Sequence, residues 1–322
     1  MMKLRENGEA ATDVNSRSAG TSRKIRMTKL QKMNLRSGLL FTSPWLVGLV
    51  VFTVYPILAS LYYSLTDYSL LRPPEWVGLD NYRTLVFQDP YFWTSLYNTV
   101  FLMLLGLPLG MVIGLAVALL LNTKVRGLGI YRTIYYLPSV VPGVATALVW
   151  SWVLNPEYGL VNALLDKFGI IGPGWLTDPL WAKPALVIMG IWGAGGSMVI
   201  YLAGLQGIAP EYLEAAQLDG ASWWQKLVHI ILPMLSPVIF FTLIMGVISS
   251  FQQFTHIYVM TRGGPSNSTL VYAMYLYQNA FGYFKMGYAS AMAWILFIIM
   301  TLAIWFAFRT AGWVHYEGAA GK

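Results

Sequence analysis

The chain contains no cysteine, which excludes disulfides, thiolate metal sites and a cysteine nucleophile and leaves its redox compartment open. It is also poor in charge. Of its 322 residues 11% are charged, against roughly 25% in ordinary soluble domains, while 57% are hydrophobic. A soluble enzyme does not carry that composition. A phosphate-cradling Gly-x-x-x-x-Gly-Lys-Ser/Thr loop is missing too, so a nucleotide would have to be hydrolysed by another chain. An integral-membrane enzyme such as a glycosyltransferase would need an acidic pair or a metal cluster near an interface, yet Asp166 and Asp178 flank a loop without one. No catalytic residue and no metal ligand is assigned.

What the chain has instead is long uncharged runs. Asp, Glu, Lys and Arg are absent from 37–66, 90–123, 133–156, 184–210, 227–261 and 286–308, each run longer than the roughly 20 residues a helix needs to cross a bilayer. The expected fold is an all-α polytopic membrane protein with six transmembrane helices, near 39–64, 97–121, 134–154, 185–207, 234–258 and 287–308. The expected organisation is a disordered basic leader over 1–36, a membrane domain over 37–312 and a tail over 313–322.

Lys and Arg favour the cytoplasmic side of a membrane protein. The leader holds nine of the 21 basic side chains; with 122–133, the segment before the fifth span and the C-terminus, one face collects fifteen and the other six. Both termini are therefore expected in the cytoplasm. That bias accounts for the net charge of +7 without nucleic acid, and the apolar run after the leader is too extended for a cleaved signal peptide.

The rings of Tyr62, Tyr63, Tyr68, Trp76, Tyr82, Tyr91, Phe92, Trp93 and Tyr97 read as an interfacial belt, whose connecting segment, with 76–82, reads as a short turn and surface helix. Gly106, Gly110 and Gly114 present small residues on one helix face, which suits close helix packing. The five glycines from Gly190 to Gly204 imply close helix contact or backbone lining a cavity. The proline- and glycine-rich stretch 155–184 reads as a surface or re-entrant loop.

The most informative segment is a polar island at 208–236. Pro210 suits the first turn of a helix through Glu214, Ala215 and Ala216; Asp219-Gly220 ends it; Ser222 and Gln225 form a capping box for a second helix, delimited or kinked by Pro233 and Pro237. The expected product is a helix-turn-helix elbow, with Trp223, Trp224 and Leu227 as apolar anchors and Glu214 and Asp219 as anionic ones. Glu214-Ala215-Ala216, three residues, Gly220, nine residues, Ile230, one residue, Leu232-Pro233 resembles, without gaps, the Glu-Ala-Ala loop of ABC importer permeases. From about 39 to 308 the chain is similar to the maltose-type carbohydrate branch, through Tyr55-Pro56, 78–82, Asn98-Thr99, Tyr131-Arg132, Leu137-Pro138 and 261–265.

The resemblance implies a type I ABC importer permease fold and partners that comprise a second homologous permease subunit, an ABC ATPase dimer, an extracytoplasmic solute-binding protein, a sugar or oligosaccharide and the lipid bilayer. It implies no cofactor bound by this chain, with ATP and Mg used by the partner ATPase, and residence in the bacterial inner membrane. By the same resemblance Glu214, Ala215, Ala216, Asp219 and Gly220 couple to the ATPase, and Ser250 and Gln253 stand where the maltose-type subunit contacts ligand. Gln252 and Gln253 serve either a ligand or hydrogen bonds between helices or subunits. Trp192 and Ser197 are further substrate candidates, the tryptophan equally suited to stacking on a sugar and to packing. Arg262, Gly263 and Gly264 mark an extracytoplasmic turn where the binding protein would dock, unless Arg262 is a solvated charge. The alternative is a secondary sugar transporter driven by an ion gradient; its usual mark, a charged side chain inside a span, is missing, which leaves His256.

Overall fold

The structure, a computed structural model, describes residues 28–123 and 126–314. Most of the expected leader and the end of the tail lie outside the described residues. The chain divides into two units, Met1–Ile57 and Leu58–Lys322. In the first, helix α1 (Lys29–Leu49) passes through a π turn at Val50–Val54 into α2 (Tyr55–Ser64), which continues into the second unit. Residues 29–36, expected to be disordered, are helical: they contain neither Pro nor Gly and are mostly good helix formers. The span Lys32–Ser64 has 33 residues, about 50 Å at 1.5 Å per residue, which exceeds a hydrocarbon core of roughly 30 Å. Phe41 and Phe52 are 83% and 81% exposed, as on a helix that faces lipid.

Proline shapes two of the spans by one device. Pro56 follows the π turn at Val50–Val54, and Pro233 follows a second π turn at Leu227–Ile231. The proline ring collides with the carbonyl four residues back, here Phe52 and His229, and the widened turn around that carbonyl relieves the clash without ending the helix.

In the second unit, strands β1 (Thr66–Ser69) and β2 (Arg72–Trp76) form an antiparallel hairpin ahead of α3 (Asp80–Phe87), in line with the expected turn and surface helix. Asn81 holds this region by donating to the Ser64 and Thr66 carbonyls at 3.0 and 2.9 Å. Helix α4 (Pro90–Leu121) begins at Asp89, whose Oδ1 accepts the Tyr91 and Phe92 N–H groups, and packs against the fourth and fifth spans.

The third and fourth spans, each expected as one helix, are each two helices. Helices α5 (Leu128–Val140) and α6 (Gly143–Val153) meet at 97° because Pro142 pushes Val141 into extended backbone. After the short α7 (Leu160–Asp166), α8 (Pro179–Trp192) and α9 (Gly195–Gln206) meet at 44° across Gly193-Ala194. Helix α8 starts six residues before the expected boundary, capped by Asp178, so Pro184 lies inside it. With each bent pair counted as one crossing, the described residues hold the expected six.

The chain continues through α10 (Pro210–Leu218), α11 (Trp223–Lys226), α12 (Leu232–Phe251), α13 (Thr255–Met260), α14 (Tyr272–Tyr277) and α15 (Met286–Arg309). One buried cluster, with Phe92, Ile257, Tyr272 and Met292, joins α4, α13, α14 and α15. Another, with Ala118, Met198, Tyr201 and Leu235, joins α4, α9 and α12.

Candidate functional site

Helices α4, α6, α8, α9, α12 and α13 line an open cavity of about 1050 Å³. Gly106 and Gly110 of α4 and Gly190 and Gly193 of the fourth span form part of its wall. The expected packing face therefore divides. A side chain at Gly106 or Gly110 would meet nothing, whereas a Cβ at Gly114 would run into the Ser197 side chain. Of the three, Gly114 alone makes the close contact.

Ser250, Gln252, Gln253 and Ser197 all line the cavity, joined by Thr242, Ser249, Thr255 and His256. They converge because the fifth span breaks between α12 and α13: Gln252 leaves helical geometry at ψ 3° and Phe254 sits at φ −138°, although no Pro or Gly is present there. The side chains of Ser249, Ser250, Gln252 and Gln253 make no hydrogen bond to any described residue, so these glutamines do not bridge helices within the chain. Phe241 and Phe254, which sequence reasoning missed, also line the cavity, the ring of Phe254 stacked on Tyr258. Trp192 does not join this group. It stands before the 44° bend, with its ring edge on Trp150, and lines a separate pocket of about 270 Å³ beside Tyr135 and Pro138.

In the loop after α13, Arg262 is exposed at φ 52°, while Gly263 is buried at φ 87° against Leu270. The Gly263 carbonyl accepts the Thr269 N–H at 3.2 Å, and that of Gly264 accepts the Thr269 hydroxyl at 2.7 Å. The two glycines build the turn; Arg262 presents the free side chain. The family-like pair Asn98-Thr99 anchors the loop from α4, Asn98 donating to the Asn267 and Leu270 carbonyls and Thr99 accepting the Tyr272 N–H, all at 2.9 Å.

The elbow has the expected form. Pro210 opens α10, Glu214, Ala215 and Asp219 are exposed, and Ala216 is half-buried. Gly220 turns the chain at φ 78°, a conformation that costs an L-residue about 1–2 kcal/mol. The capping box is complete: the Ser222 N–H donates to Gln225 Oε1 at 2.7 Å and the Gln225 N–H to Ser222 Oγ at 3.4 Å. Trp223 and Trp224 are exposed, but Leu227, one helical turn nearer the span, is 8% exposed and is no anchor. Leu218, at 90%, is the exposed leucine of the elbow.

A family model described as the binding-protein-dependent transport system inner membrane component matches residues 106–314. The chain is 44% identical over 293 residues to the probable ABC transporter permease protein YesP of Bacillus subtilis, covering 89% of this chain and 94% of that protein. It is 36% identical over 283 residues to the lactose transport system permease protein LacF of Rhizobium radiobacter, covering 85% and 94%. A chain in the crystal structure of a bacterial ABC transporter involved in the import of the acidic polysaccharide alginate superimposes with a TM-score of 0.77 at 27% identity, covering 88% of this chain and 98% of that one. The chain belongs to the inner-membrane components of binding-protein-dependent transport systems. It is a multi-pass ABC importer permease, a transport subunit rather than an enzyme.

Proposed function

We propose that this permease forms half of the translocation pathway of an ATP-driven carbohydrate importer. The observation that carries the reading is the cavity wall. Sugars need neutral hydrogen-bonding groups in a space shielded from lipid, and Ser249, Ser250, Gln252 and Gln253 stand on that wall with no partner among the described residues. The relatives named for lactose and alginate transport support a saccharide cargo. Ser197 belongs to the same contact set; Trp192 shapes the bend beside it.

The chain then works with a second permease, an ATPase pair that uses ATP and Mg, and a solute-binding protein that docks at the outer loop containing Arg262. Glu214, Ala215, Ala216, Asp219 and Gly220 form the seat for the ATPase, supported by the exposure of the elbow and the apolar surface of Leu218, Trp223 and Trp224. ATP-driven closure of the ATPase pair moves this seat and biases the cavity between two accessible states. The Lys and Arg distribution supports placing the elbow and both termini in the cytoplasm.

Since the chain has no cysteine, a Leu218→Cys variant carries a single thiol. Labelling by a membrane-impermeant maleimide in inverted vesicles, and its block by the ATPase, is the expected result. Sugar uptake that survives ATP depletion and collapses with an ion gradient would overturn the reading.

A further inference from the structure

We infer that the cavity selects by charge, admitting uncharged saccharides and rejecting acidic ones, an inference that rests on its reading as the carbohydrate path. No Asp, Glu, Lys or Arg is among the described residues that line it. What faces the space is hydroxyl, carboxamide and one imidazole. A carboxylate entering such a site gives up its hydration for hydroxyl and carboxamide donors with no opposite charge to compensate it, whereas a sugar hydroxyl exchanges water for Ser and Gln partners at little net change.

The cations closest along the chain to the lining segments do not line the cavity. Lys183, three residues before Leu186, holds its ammonium 4.7 Å from the ring centroids of both Tyr97 and Phe101. Arg262 follows α13 and is exposed in the outer loop. His256 fits against the start of α6 because position 143 is glycine: a Cβ there would lie 3.3 Å from its Nε2. The wall is thus shaped around neutral groups. The fold shared with a transporter of an acidic polysaccharide does not carry cargo charge with it, because charge preference resides in the lining side chains.

The test is equilibrium binding to the purified complex of this chain with its second permease and ATPase subunits, without the binding protein, whose own selectivity would mask the cavity's. The probes are neutral mono- to tetrasaccharides, maltotriose among them, and trigalacturonate. The neutral probe of matched length is expected to bind at least about tenfold more tightly, a difference of about 1.4 kcal/mol. Gln253→Arg, or Ser250→Lys if the first does not assemble, is expected to tighten trigalacturonate and narrow that gap. Trigalacturonate bound as well as the neutral probe by the wild type overturns charge selection and leaves the carbohydrate path standing. Binding of no saccharide at all removes the path itself.

Discussion

The carboxamide of Asn98 donates to the carbonyl of Leu270 at 2.9 Å across 172 residues of chain, and it donates equally to Asn267. One side chain of α4 thereby holds the second half of the loop that carries Arg262. Asn98 itself is buried, so water cannot replace it. Asn98→Ala is expected to lower stability by about 1–3 kcal/mol through the two orphaned carbonyls, read as a lower thermal midpoint in detergent. An unchanged midpoint would show that the loop holds without this clamp.

Gly114 and Ser197 press α4 against α9. Gly114→Val is expected to destabilise by about 1–3 kcal/mol through overpacking, and Ser197→Gly in the same chain is expected to restore part of the loss. Gly110→Ala, which meets nothing, is expected to leave the midpoint alone. Equal losses at positions 110 and 114 would contradict the packing described above.

Gly220 is glycine for its backbone, since nothing lies within 4 Å of a Cβ built there. Asn tolerates positive φ far better than a β-branched residue. Gly220→Asn is therefore expected to preserve uptake and Gly220→Val to reduce it, with both variants inserted normally. The reverse order would place the requirement in space instead of conformation.

Glu214→Ala is expected to leave membrane insertion intact while lowering sugar-stimulated ATP hydrolysis and uptake by about tenfold or more, the scale of a coupling energy of 1–3 kcal/mol. Normal rates in the reconstituted importer would remove Glu214 from the coupling seat.

Gln253→Ala is expected to weaken apparent sugar affinity by about two- to tenfold, the worth of one net hydrogen bond. Trp192→Phe, in the smaller pocket, is expected to leave that affinity unchanged. Equal effects would merge two spaces that line different faces of the fourth span.

The capping box at Ser222 and Gln225 and the turn at Gly220 were legible because a cap involves residues within one helical turn of each other. Pro142 was visible, but hydropathy averaged over a window passes smoothly through the right-angle break it makes. The break at 252–254 has no Pro or Gly to announce it. Trp192 and Ser197 are close in sequence and line different spaces because they lie on different faces of the fourth span, each space drawing residues from both sides of the bend. Leu227 and Leu218 exchange roles for a similar reason: burial depends on where the elbow meets the span, which composition does not register.

By itself the sequence determined residence in the bilayer, the number of crossings and the elbow, since apolar length, charge bias and helix caps act through each segment's own residues. Tertiary structure alone decided which neutral side chains share a wall, which glycine of an evenly spaced series carries a contact and which rings line the cavity. Those depend on segments more than a hundred residues apart meeting at two bent spans and a broken one, geometry that no local pattern encodes.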